Sequence, residues 1–306
     1  MGRVSRALIR NFIVTIEIII SAVKLGLVYS LAVLGFSFTL RMLAYADLTL
    51  EGSFVLGGVV SAVMIQSGAH PGFTPVVAML AGGLAGMMTA CFHCFFRVSK
   101  LLSGIISLAI LYTLNLRIQG AANESFYGSR TLFRLVPDYV PSLVIIVPAA
   151  AIVFLFFYWL LRTNFGLYLR ACGENERAVI RAGYDRRLFI FAGLFLSNAT
   201  ICLSGALFSQ YAGFSDVGIG GGLIVICLTS LMIGEIVVRP STTGGFLFCI
   251  VIGSILCQGV NGVCLSFRLH PSDYKGVVGM ALALLVLFRR RCSKGESPQV
   301  VGADVF

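Results

Sequence analysis

A chain of 306 residues that is 58% hydrophobic and only 12% charged lacks the polar residues needed to cover a water-soluble domain. Its mean hydropathy of +0.95 and its repeated apolar runs describe a polytopic membrane protein. The net charge of +10 is no argument for nucleic acid, because the basic residues cluster beside the apolar runs, where they orient the chain and meet lipid. No polar segment is long enough to bury its own core, so residues 1–306 read as one membrane domain of all-α class.

The N-terminus, MGRVSRALIRNF, places Arg3, Arg6 and Arg10 before an apolar stretch with no A-x-A-like site after it, and reads as a retained anchor. Phe12 to Met42 is too long for one perpendicular span of about 20 residues. It is either one tilted helix or two spans broken near Lys24. Asp47 and Glu51 interrupt the hydrophobicity before it resumes from Val55 to Gln66. A turn at His70, Pro71 and Gly72 leads to a span over Thr74 to Phe96, whose Gly82 and Gly86 form a small-xxx-small pair that permits close helix contact. Cys91, His93 and Cys94 lie close together, but His93 points away from the cysteine face and no second ligand pair follows, so no metal is expected. The nine cysteines read as polarizable packing residues.

Arg97 and Lys100 mark a cytoplasmic end. Gly104 to Leu116 is short for a span and ends in Asn115 and Arg117, so it either enters part-way or is extended by polar residues that face protein; Gln119 to Pro141 reads as an external loop. Leu143 to Leu161 then crosses inward and delivers the chain to a polar island, Arg162 to Arg187. The island holds six arginines (162, 170, 177, 181, 186, 187) against Glu174, Glu176 and Asp185. Such a segment is excluded from hydrocarbon, and its arginine excess assigns it to the cytoplasmic side. Asn175 is a good N-cap, Glu176 opens a short helix, Arg181 falls in its last turn, and Gly183 closes it in a left-handed conformation. A short capped helix at the cytoplasmic surface suits a docking element for a soluble partner; the alternative is an ordinary positive-inside loop.

Leu188 to Ala212 crosses outward with Asn198 and Gln210 embedded in it, and GFSDVGIGGG (213–222) breaks the chain around Asp216. Leu223 to Val238 returns inward carrying Glu235, Phe246 to Phe267 goes out, and Val277 to Phe288 comes back. Arg289, Arg290, Arg291 and Lys294 hold a basic tail, 289–306, in the cytoplasm. Counting back from the tail gives nine crossings and an external N-terminus, which the three N-terminal arginines oppose, so eight to ten spans are expected.

Two interrupted segments resemble each other. AYADLTLEGSFVLGG and AGFSDVGIGGGLIVI each place an Asp five residues before a Gly, Asp47–Gly52 and Asp216–Gly221, and each leads into an apolar run. Broken, glycine-interrupted helices at corresponding places in two halves point to a transport pathway. The costly polar residues are Asp47, Glu51, Asn115, Asn198, Gln210, Asp216 and Glu235. A charge at mid-membrane costs about 2.5–3.5 kcal/mol, so these residues line a pathway or pair within the bundle. For Asn115, Asn198 and Gln210 interhelical hydrogen bonding is expected. Asp47, Glu51 and Asp216 sit at breaks near the surface, where capping of helix ends is expected. Glu235 stays open. No catalytic constellation emerges: His70, His93 and His270 are far apart, and no G-x-x-x-x-G-K-[ST] phosphate loop occurs. The expectation is a non-enzymatic chain without cofactor whose energy comes from a partner, or alternatively an ion-gradient-driven transporter with Glu235 as its acid.

LGLVYSLAVLGFSFTLRMLAYADLTLEGSFVLGG resembles the opening of permease subunits of ABC importers of the branched-chain amino acid and ribose type. RACGENERAVIRAGYD and LSNATICLSGALFSQYAGFSDVGIGGG resemble that family's cytoplasmic coupling loop and next span. The run Asp47 to Phe54 is similar to a subgroup assigned to tryptophan or tyrosine uptake. The resemblance implies a bacterial inner-membrane protein that pairs as two permease copies, docks two ATPase subunits and receives solute, an amino acid or related, from an extracytoplasmic binding protein. It places the coupling element on Gly173, Glu174, Asn175 and their neighbours, Glu176 and Gly183 included, with Arg170 and Arg177 as surface contacts. Cys172, and GAANES at 120–125, depart from the family pattern.

Overall fold

The first apolar run folds as one helix, α1 (Gly2–Met42), and Lys24 lies within it, half-buried, without breaking it. A lysine is a good helix former, and its stem lies along apolar surface while the ammonium reaches away. The computed structural model describes residues 2–126, 128–135, 141–240, 242–266 and 276–285. The expected basic tail, 289–306, and His270 lie outside the described residues.

After α1 come α2 (Leu50–Gln66), α3 (Thr74–Cys94), α4 (Lys100–Gln119), β1 (Asn123–Ser125), α5 (Leu143–Leu161), α6 (Asn164–Glu174), α7 (Glu176–Arg181), α8 (Arg186–Ala212), β2 (Phe214–Asp216), α9 (Leu223–Val238) and α10 (Thr243–Ser266). A further apolar helix, α11, spans Gly276–Leu285. The chain is a polytopic membrane helix bundle. Among the described residues six helices, in α1, α3, α4, α5, α8 and α10, are long and apolar enough to cross a membrane, and α2, α9 and α11 are shorter. Helix α4 follows the second of the two alternatives, extension by polar residues. Its 20 residues exceed the short segment expected from Gly104 to Leu116. Ser99 caps its N-terminus by accepting from Leu102 N, and Gly120, at φ 80, ends it. Among the described residues the strand content is small: β1 pairs antiparallel with β2, Asn123 opposite Asp216.

Helix α8 is the axis of the bundle. Of its apolar stretch 72% is buried, against 22% for α5, which lies at the periphery. Close backbone approach makes this possible. A Cβ on Gly82 would strike Asn198 O, and one on Gly86 would strike Leu194 O, so the small-xxx-small pair of α3 seats on α8 as expected. On the other side of α8 a Cβ on Gly57 would meet Cys202 O, and one on Gly205 would meet Phe54 O, which locks α2 in place. Helices α9 and α10 meet in the same way, Gly234 against Cys249 O and Gly253 against Ser230 O.

One end of the bundle gathers the arginines. Lys100 Nζ donates to Ala44 O (3.1 Å) just beyond α1, Arg186 lies 3.3 Å from His93 Nε2, and Arg187 stacks over Phe95. At the opposite end β1 and β2 close the turns after α4 and α8, and Gln66 at the end of α2 donates to Glu124 (2.8 Å).

Candidate functional site

Beyond α1 the chain turns at Ala44, whose φ of 46 is uncommon for a residue with a side chain. It then enters the bundle without helical structure up to α2. Asp47 in this segment is 0% exposed, a correction to its expected place near the surface. Its carboxylate accepts from Thr49 N (2.9 Å) and from Asn198 Nδ2 (2.7 Å). Asn198 in turn accepts from Ser53 Oγ (2.7 Å), and Thr49 pairs with Thr89 of α3 (2.8 Å). Asn198 sits near the middle of α8, about 18 Å from Arg186 at 1.5 Å per residue. One acid and one amide thus tie the entering segment, α2, α3 and α8 together at the centre of the bundle. Each of these hydrogen bonds contributes about 0.5–1.5 kcal/mol. Asn198 makes the interhelical hydrogen bonds expected of it, whereas Asp47 accepts from the N–H of Thr49, ahead of α2, which begins without a side-chain cap.

From the opposite end a second interrupted segment, with a single 3-10 turn over Val217–Gly220, enters between β2 and α9. Asp216 caps its first turn, accepting from Gly218 N (2.6 Å). The segment runs along α2, with Gly220 packed against Glu51 O, and reaches Gly222, whose N–H donates to Glu51 Oε1 (2.9 Å). Glu51 therefore caps α9 rather than its own helix, and the first turns of α2 and α9 face each other through one carboxylate. Beside this contact lies a cavity of about 500 Å³ between α2, α4 and the glycine-rich segment. It brings Glu51 together with Asn115. Asn115, 1% exposed, donates through Nδ2 to Gly52 O (3.1 Å), while its Oδ1 has no hydrogen-bond partner among the described residues. A buried acceptor left in that state costs about 1–3 kcal/mol.

The other predicted polar residues lie apart from this cavity. Gln210 accepts from Leu132 N (3.0 Å) and donates to Thr74 Oγ1, fastening the far end of α8 to α3 and to the following loop. Glu235 forms an ion pair with Arg41 of α1, with the two side chains 11% and 4% exposed. The sequence reading overlooked Arg41. A single arginine in the last turn of a long apolar run, with an acid likewise in the last turn of α9, was the available signal.

At the basic end the polar island holds two helices, where one was expected. Helix α6 is capped by Thr163, which accepts from Gly166 N, and it buries Gly166, Leu169 and Cys172. Gly173 packs against the carbonyl of Met42, so α6 rests on the end of α1. Arg170, half-buried on α6, has its guanidinium pushed below the usual arginine value by burial, against which the nearby Glu174 acts. Glu174 and Asn175 are exposed. Asn175 lies between the two helices at φ −146 and ψ 85, its N–H returning to Ala171 O (2.8 Å). Glu176 opens α7, and Gly183, at φ 84, closes the turn behind it, with Tyr184 N reaching Val179 O (3.3 Å). Arg177 is exposed, Val179 is buried at 1%, and Ile180 stands out at 58%. Tyr184 stacks on Tyr168, ring centroids 4.4 Å apart, and Tyr168 leans on Phe189 of α8. A charged, exposed knob is therefore bolted to α1 and α8 from beneath. Alongside it a groove of about 490 Å³ is lined by Arg97, Arg186, Arg187, Asp185 and Ile180. His93, read as an isolated histidine, lines the same groove and pairs through Nδ1 with Val98 O (2.8 Å).

A bundle with two opposed broken entries and a basic knob at one end belongs to the membrane permeases. Residues 18–287 match the family described as branched-chain amino acid transport system permease components, and the chain belongs to that family. It is 31% identical over 265 residues to the tyrosine transport system permease protein of Clostridioides difficile (strain R20291), covering 86% of this chain and 88% of that one. It is 25% identical over 254 residues to the galactofuranose transporter permease protein YtfT of Escherichia coli (strain K12), covering 79% of this chain and 70% of that one. Among solved structures, an ABC transporter of metal-chelate type in an inward-facing conformation shares the fold. Its TM-score is 0.51 at 16% identity, over 89% of this chain and 85% of that one.

Proposed function

We propose that this chain is the permease subunit of an ATP-binding-cassette importer in a bacterial inner membrane. Two copies form the path for a small solute, an amino acid or a related compound, delivered by an extracytoplasmic binding protein. A separate ATPase docks on α6 and α7, with Arg170, Gly173, Glu174, Asn175, Glu176, Arg177 and Gly183 forming or shaping that surface, and the basic end is cytoplasmic. The observation that carries this reading is the continuity from knob to core. Gly173 rests on Met42 O, and Leu43 packs against Gly193 of α8. A few residues further on, Asp47 is tied to Asn198 at mid-bundle. A push on α7 is thereby delivered to the non-helical entry and to α8, whose packed glycine contacts favour movement of helices as rigid bodies.

The corresponding break before α9, with its own Asp and glycines, fits an inverted pseudo-repeat whose two entries line the path. The gradient-driven alternative relied on Glu235, whose carboxylate is already engaged by Arg41. The test is reconstitution with the candidate ATPase. Co-purification of a P-loop ATPase and uptake that stops on ATP depletion are expected. Uptake that persists without ATP and collapses with an ionophore refutes the importer reading.

A further inference from the structure

We infer that the cavity between α2, α4 and the glycine-rich segment is a solute site for a compact apolar molecule bearing an amino group, with Asn115 Oδ1 and the Glu51 carboxylate as its acceptors. The inference rests on the importer reading and names the solute chemistry of its path. Three observations carry it.

The first is the orientation of Asn115. Its Nδ2 is committed to Gly52 O at 3.1 Å, and a flipped amide would set oxygen against oxygen there, so the free atom is the acceptor. That atom is buried and lacks a hydrogen-bond partner among the described residues, and Asn115 is one of the residues lining the cavity. It awaits an N–H or O–H donor. The second is charge. Among the described residues lining the cavity Glu51 is the one charged side chain, and none of them is lysine, arginine or histidine. Glu51 Oε1 accepts from Gly222 N at 2.9 Å, and a carboxylate with about four acceptor positions retains capacity for a second donor. Two acceptors and one negative charge favour a protonated amine and oppose an anion. The third is the wall itself. Val55, Ile105, Leu108, Ala109 and Val217 supply an apolar surface, with Tyr112, 55% exposed, at the mouth. A volume of about 500 Å³ lies within the usual range of small-molecule pockets, roughly 300–1,000 Å³.

The site therefore selects by the amine and the apolar body, and a carboxylate on the solute adds nothing here. Phenethylamine and 3-phenylpropanoate share an apolar body and differ in the charged group, so they serve as probes. The full chain is reconstituted in nanodiscs and binding is followed by calorimetry. Phenethylamine is expected to bind and 3-phenylpropanoate not to. Asn115→Leu should weaken phenethylamine roughly tenfold, the loss of one hydrogen bond to a charged donor. Ala109→Phe, which fills the cavity and removes no hydrogen bond, should abolish binding. Equal binding of the two probes, no binding of phenethylamine, or unchanged binding in both variants overturns the inference. ATPase co-purification is scored on the same preparations. Loss of probe selectivity with the ATPase retained sinks this site alone, whereas absence of the ATPase sinks the importer reading.

Discussion

Arg41 and Glu235 offer a quantitative test of how the two halves of the bundle are joined. The pair links the end of α1 to the end of α9 and is almost fully enclosed, with side chains 4% and 11% exposed. Arg41 also lies over the ring of Phe246 on α10, 5.7 Å from its centroid. Arg41→Met keeps the volume and apolar stem but leaves Glu235 as a buried charge facing an uncharged thioether. Breaking a buried pair from one side costs about 3–5 kcal/mol. At about 2 °C per kcal/mol for a chain of this length, the midpoint of thermal unfolding should fall by roughly 6–10 °C. Exchanging both residues, Arg41→Met with Glu235→Leu, removes the stranded charge along with the pair and should restore most of the loss. The buried thiols of Cys172, Cys202, Cys227, Cys249 and Cys257 supply the assay, since a thiol-reactive fluorophore reports their exposure on heating in detergent. A double variant as unstable as Arg41→Met would refute the reasoning, because the damage would then lie in lost packing rather than in an uncompensated carboxylate.

Three further outcomes are expected. Gly183→Val forces a β-branched residue to φ 84, a strain of about 1–2 kcal/mol, and should lower recovery of the ATPase in pull-downs while membrane insertion is unchanged. Gly205→Leu drives a side chain into Phe54 O at the α2–α8 contact and should lower the unfolding midpoint by an amount equivalent to at least about 1–3 kcal/mol. Arg181→Cys, at the exposed end of α7, should react with a membrane-impermeant maleimide in inside-out vesicles and stay unlabelled in right-side-out ones. The reverse labelling pattern would place the knob outside and remove the basis for ATPase docking.

Much of the fold is local and was therefore legible. The limits Leu143 and Leu161 of α5 were read correctly because an uninterrupted apolar run is bounded by Ser142 on one side and Arg162 on the other. Gly183 was legible because few residues other than glycine close a helix at positive φ. Helix α6 was missed since the charge of the whole island, Arg162 to Arg187, drew the reading to its second half; the buried spacing Gly166, Leu169, Cys172 behind a Thr163 cap was the helical signal in the first half. The length of α4 stayed open in the sequence because Asn115, Arg117 and Gln119 look like a span's end. Asn115 instead bonds to Gly52, and Gln119 donates to Ser215 O (3.0 Å), so their polarity is satisfied by neighbours distant in sequence. The pairing of β1 with β2 involves three residues on each side, too few to leave a period-2 pattern, and depends on bundle geometry that brings residues 123 and 216 together.

The same non-locality explains why the polar residues were hard to assign one by one. In a bundle that excludes water, each polar atom is drawn to whatever partner the packing provides, so most intramembrane polar residues become ties between elements. Asp47 and Asn198 hold four elements together, Gln210 holds α8 to α3 and the loop at Leu132, and Glu235 joins α9 to α1. Glu51 caps a helix 171 residues away in sequence. A sequence displays the cost of such residues but not the partner that offsets it. Information about a path lies in the remainder after the ties are made. Among the seven predicted residues that remainder is at Asn115, beside the one place where α2 and α9 both begin and where any sliding of one entry against the other must first change the Glu51 contact.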